Sequence, residues 1–72
     1  MLLQKEAVIL NIKLQTTRQK NGLTQKVVAE KANITTTSYQ RIEYGSQTPS
    51  LKTAILIAKT LNSTVEELFS KD

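Results

Sequence analysis

The sequence predicts an all-α domain of five short helices. Three observations lead to it. Apolar residues recur at helical spacing, no stretch combines strand alternation with hairpin turn chemistry, and Ser or Thr starts alternate with Gly or Asn stops. At 72 residues the chain is one domain, near the size at which a single core is only marginally stable, so dimerisation is an expectation.

Leu3, Ala7, Leu10, Leu14 and Thr17 share a face if helix runs through the N-terminal segment to about Lys20, where Asn21-Gly22 ends it. Asn11 is an alternative start, an N-cap that would leave the preceding residues as an arm or strand. Residues 1–9 are thus expected as an extension of the first helix or an arm, and residues 10–70 as the domain. Thr24 caps a second helix with Val28, Ala29 and Ala32 on one side, and Asn33 follows its last turn in the left-handed conformation that asparagine tolerates.

Thr35 then caps a third helix, because a hydroxyl that is poor inside a helix can satisfy a free N–H at its start. Gly45 stops it about three turns later. Ser50 caps a fourth, with Leu51, Ala54, Ile55, Ala58 and Leu61 as its expected buried stripe. Thr64-Val65-Glu66-Glu67 fits a capping box for a fifth, before Leu68 and Phe69 turn inward.

Composition excludes more than it assigns. Without cysteine or histidine there can be no disulfide, thiolate or imidazole metal site, or Cys/His or Ser/His nucleophilic pair. The six carboxylates sit mostly in charged, solvated company with no Gly-rich phosphate loop, so neither an enzyme nor a cofactor is expected. Gln4, Lys5 and Glu6 interrupt the apolar N-terminus with no cleavage pattern after them, and nothing approaches the roughly 20 apolar residues of a membrane span. A soluble cytoplasmic protein is the expectation. Residues 1–60 carry nine basic and three acidic groups, and residues 61–72 one and three, so the basic body suggests a polyanionic partner.

At about 100° per residue, Thr35, Ser38, Tyr39 and Ile42 fall on one side of the third helix, and Thr36, Thr37, Gln40 and Arg41 on the other. The second group reads base edges well: Arg donates twice to guanine, Gln pairs with adenine, and a Thr methyl packs on thymine's. A solvated polar face is the bland alternative. The second helix, a turn of about three residues and the third helix have the lengths of a helix-turn-helix.

"GLTQ" at 22–25, "RIEYG" at 41–45, "TPSL" at 48–51 and "VEELF" at 65–69 together resemble the Cro/C1-type helix-turn-helix family of phage repressors and bacterial regulators, over residues 10–69. The resemblance implies a five-helix, lambda-repressor-like domain that binds double-stranded DNA as a homodimer on a palindromic operator. It implies that Gln25 meets a phosphate or outer base, that Thr36, Thr37 and Gln40 read bases with Arg41 at the edge, and that the loop from Tyr44 through Ser46 and Gln47 to Thr48 grips phosphates. Thr35 at the helix start and Lys26, as a phosphate contact, complete the expected DNA-binding set. It also implies a partly buried Arg18–Glu43 ion pair. Tyr44 stands where asparagine is common, and Thr17 and Ser63 where the family has apolar residues.

If helix begins near Leu3, then Met1, Val8, Ile9 and Ile12 form a second apolar group, and Leu56 points away from the fourth helix's core positions. An isolated surface leucine is common; the sharper expectation is a homodimer interface or a site for another protein. The function expected is a dimeric repressor. Its rivals are an antitoxin-type regulator that also covers a toxin, and a helix-turn-helix domain used only for protein interaction.

Overall fold

The computed structural model describes residues 10–70, which fold into α1 (Ile12–Lys20), α2 (Gln25–Lys31), α3 (Thr36–Tyr44), α4 (Leu51–Thr60) and α5 (Val65–Phe69). Each helix begins with the same local device. A side-chain oxygen on Asn11, Thr24, Thr35, Ser50 or Thr64 accepts the N–H three residues on, at 2.9 to 3.1 Å. Each such cap stabilises its helix by about 1 kcal/mol, and for helices of five to ten residues that is a large share of what holds the first turn. At α5 only half of the expected capping box forms, since no return bond from Glu67 to Thr64 is present among the described residues.

Four of the helix ends also repeat one motif. Gly22, Asn33, Gly45 and Asn62 take positive φ of 70°, 63°, 88° and 57°. The next N–H then bonds back five positions: Leu23 to Arg18, Ile34 to Ala29, Ser46 to Arg41, Ser63 to Ala58. Leu23 and Ile34 lay their side chains on the core in doing so. Ser63, at the corresponding place after α4, has a hydroxyl to offer instead.

α3 packs on α2 and α1, α4 on α2 and α5, and α5 back on α1. Leu14, Val28, Tyr39, Ile57, Leu61 and Leu68 are fully buried between them, with Ala29 and Ala32 letting the backbones approach. Burying a side chain of this kind contributes about 1.5–3 kcal/mol.

Several expected core positions are different. Helix starts after Asn11, so Leu10 lies ahead of the first turn and is 48% exposed; Leu3 and Ala7, with Met1, Val8 and Ile9, lie outside the described residues. Leu14 is the buried residue of α1, and Thr17 is half-buried. On α4 the buried stripe is Ala54, Ile57, Ala58 and Leu61. Leu51 and Ile55 are 71% and 40% exposed, because α2 and α5 pack against the face of α4 that carries Ile57. Leu56 is half-buried against the core and is not a free surface leucine.

Candidate nucleic-acid interface

α2, the turn at residues 32–34 and α3 form the helix-turn-helix. α3 turns Tyr39, Ile42 and Glu43 into the core and leaves Thr37, Gln40, Arg41 and Tyr44 exposed. Thr36, expected with the outer group, is half-buried at its edge. Gln25, Thr37, Gln40, Arg41, Tyr44 and Ser46 line one shallow groove of about 410 Å³, so the structure brings together six of the residues singled out from sequence. Lys26, Thr35 and Thr48 are exposed outside it.

The one carboxylate of α3, Glu43, also lines this groove, but it is buried and paired. Glu43 is 4% exposed and accepts from Arg18 Nε at 2.5 Å, Arg18 Nη2 at 3.3 Å, Tyr39 Oη at 2.7 Å and Gln25 Nε2 at 3.1 Å. Burial alone would raise its pKa, but the hydrogen bonds from Arg18, Tyr39 and Gln25 outweigh it and hold the carboxyl below its ordinary value. Burial, then the bond to Glu43, pushes the Tyr39 phenol well above its ordinary range. The bond to Glu43 raises Arg18 further, against the opposing effect of burial. Arg18 Nη1 also donates to the Leu23 carbonyl at 2.9 Å, tying α1 to the entrance of α2. The expected Arg18–Glu43 pair is therefore present, with two partners that sequence reasoning missed. A buried tyrosine four residues before a buried glutamate on one helix was the available signal for Tyr39.

Some expected contact residues are already engaged within the protein. Gln25 is half-buried, its Nε2 on Glu43 and its Oε1 accepting from Gln40 Nε2 at 3.2 Å. Gln47 is half-buried and donates to Ser38 Oγ at 2.7 Å, strapping the α3–α4 loop onto α3. The Ser46 and Gln47 N–H groups bond to the Arg41 carbonyl at 2.9 and 3.2 Å, and the Thr35 hydroxyl oxygen accepts the Ser38 N–H in its cap. No helix among the described residues is long and apolar enough to cross a membrane.

A family model described as "Helix-turn-helix" matches residues 14–68. The chain belongs to the Cro/C1-type helix-turn-helix family. Members of this family are DNA-binding transcriptional regulators, and the present helix-turn-helix protein is one of them. It is similar to an "Uncharacterized HTH-type transcriptional regulator" of Archaeoglobus fulgidus, 32% identical over 63 residues, which are 88% of this chain and 90% of that protein. Its fold is similar to the crystal structure of the clp gene regulator ClgR from Corynebacterium glutamicum, with a TM-score of 0.75 at 19% identity. That match covers 81% of this chain and 62% of the ClgR chain, so the present chain spans less than two thirds of that one.

Proposed function

We propose that this helix-turn-helix protein is a cytoplasmic, sequence-specific repressor that reads a palindromic operator as a homodimer, with α3 in the major groove. The observation that carries the reading is the division of α3. Thr37, Gln40 and Arg41 stand outward together, while Glu43, the helix's only negative charge, is buried and neutralised by Arg18. An outward carboxylate would be repelled by the phosphates that line both sides of the groove. Gln40 and Arg41 supply hydrogen-bonding groups matched to purine edges, and Thr37 a methyl for thymine. Exposed Lys26, Tyr44, Ser46 and Thr48 flank them with phosphate-binding groups. In a two-fold dimer the half-sites lie about 34 Å apart, or a multiple of that.

The dimer is supported by apolar surface beside the interface. Leu10, Ile12 and Leu51 are 48%, 56% and 71% exposed around an apolar groove of about 910 Å³, where Val65 and Phe69 are half-buried. A second copy of the chain is the occupant this symmetric reading requires. A mass in solution that stays monomeric to high concentration counts against it, and an antitoxin-type regulator with a protein partner on that surface is then the better reading.

Selection of bound sequences from a random duplex library at physiological salt tests the proposal. The expected result is a two-fold symmetric motif. Salt-sensitive retention with no enriched motif would reject sequence-specific reading and favour a domain that uses its surface for protein contacts.

A further inference from the structure

The loop between α3 and α4 is anchored at both ends. Gly45, at a φ of 88°, turns the chain off α3, and the Ser46 and Gln47 N–H groups bond back to the Arg41 carbonyl. At the other end the Ser50 hydroxyl oxygen accepts the Thr53 N–H at 3.1 Å and starts α4. Between the anchors Thr48 is exposed, and the N–H groups of Thr48 and Ser50 meet no acceptor among the described residues. Pro49, which separates them, has no N–H to give. Two unpaired backbone donors flanking one residue are suited to a phosphate oxygen. They hold it well only if the loop is already in place, because a loop that is ordered by binding loses part of the contact's worth to entropy.

A hydrogen bond from the middle of the loop supplies that order. Gln47 Nε2 donates to Ser38 Oγ at 2.7 Å, and both side chains are half-buried. Ser38 lies on the Tyr39 and Ile42 side of α3 and is not part of the groove lined by Gln40 and Arg41. Its hydroxyl therefore faces the loop, and the Gln47 amide is turned toward the protein. The Arg41 carbonyl and the Ser38 hydroxyl, on neighbouring turns of α3, hold the loop at two points. The helix that reads bases and the donors beside it are thereby fixed to one another.

We propose that Gln47 is a positioning residue for the phosphate grip of the α3–α4 loop, acting through its hydrogen bond to Ser38 and not through a contact of its own with DNA. The inference rests on the reading of α3 as the groove-binding helix. It assigns the half-buried Ser38–Gln47 pair a role in affinity and none in the choice of base.

The test titrates the operator that wild type enriches from the random library, and variants of it, with wild type, Gln47→Met, Ser38→Ala and the double variant across a range of salt concentrations. Gln47→Met keeps side-chain length while deleting the bond, and Ser38→Ala deletes it from the other end. Thermal denaturation of each protein sets the working temperature well below every Tm, so that lost folding is not read as lost binding. The expected result is that each single variant binds about two- to tenfold more weakly per half-site, the worth of one net hydrogen bond. The loss is the same on all sequences. The salt slope is unchanged, because backbone N–H groups carry no charge and displace no counterion. The double variant binds no more weakly than the weaker single one, since either change removes the same bond.

Weakened binding by Gln47→Met beside full affinity in Ser38→Ala makes Gln47 a direct contact and overturns the proposal while leaving the groove reading intact. Losses that multiply in the double variant overturn it too, as do full affinity in both single variants, a loss confined to particular base positions, or a salt slope that falls by about one. If wild type enriches no motif, the groove reading fails first and the positioning role with it.

Discussion

Arg18→Ala removes the cation beside a carboxylate that cannot reach water. Glu43 is 4% exposed and loses two of its four hydrogen bonds, and the Leu23 carbonyl loses the Arg18 donor as well. Breaking a buried ion pair by deleting one partner costs about 3–5 kcal/mol. The lower end applies here, because Tyr39 Oη and Gln25 Nε2 still serve the carboxylate and Arg18 itself is 11% exposed. A loss of about 3 kcal/mol is a large part of the roughly 5 kcal/mol expected of so small a domain. At about 4–8 °C per kcal/mol it lowers Tm by roughly 12–24 °C. The assay is thermal denaturation by circular dichroism at pH 7 and again near pH 5. In the variant, burial without Arg18 favours the protonated carboxyl, so Glu43 takes up a proton in the folded state and the deficit against wild type shrinks as pH falls. A drop in Tm of less than about 3 °C, or a deficit that is the same at both pH values, would refute the reasoning. Glu43→Gln placed on Arg18→Ala should recover part of the loss, since an amide costs less to bury than an unpaired charge.

In the wild type, Glu43 has a folded pKa below its unfolded value, so its contribution is complete above about pH 4.5 and is lost as pH falls through the folded value; acid titration of stability should show this loss, and Glu43→Gln should flatten it. Tyr39 has a raised pKa, so its contribution is complete below about pH 10 and declines above it; Tyr39→Phe should weaken that alkaline dependence in chemical denaturation at pH 9 and 11. Arg41→Ala should cost about 1–3 kcal/mol at one base position per half-site, read from competition between operators that differ only there. Lys26→Ala should weaken binding to all sequences alike and reduce the salt slope by about one, measured by titrations across a range of salt concentrations.

Helix starts and stops were legible because they are local. A hydroxyl or amide meets an N–H three residues away, and a left-handed stop needs only glycine or asparagine at one place, so Thr24, Thr35, Ser50, Asn33 and Gly45 act where they are read. Which face of a short helix is buried was less legible. α4 is apolar at Leu51, Ile55, Leu56 and Ile57 together, so spacing alone admits more than one stripe, and the neighbours α2 and α5 select Ile57. Leu10 misled for a related reason: its spacing continues the pattern of α1, but Asn11 begins the helix one residue too late for it.

On the candidate site, a 100° projection separated Tyr39 and Ile42 from Gln40 and Arg41, and the structure has the same division. Projection could not reach what those side chains bond to. Gln25 to Gln40 and Gln47 to Ser38 join residues 15 and 9 positions apart, and such pairs exist only once the elements have docked.

Asn11 has a part in this docking that bears on how the domain can be joined to others. Its backbone N–H donates to the Glu43 carbonyl at 2.9 Å and its side-chain amide to the Leu68 carbonyl at 2.9 Å, so the entry to α1 and the last helix meet at one point. The first and last elements of the fold are thus neighbours in space, the arrangement that tolerates insertion into a host loop or circular permutation. A short linker between residues 10 and 70 would close the backbone into a ring with new ends opened in an exposed turn. The chain therefore enters α1 and leaves α5 at a single point, so a change made at one of these places is felt at the other.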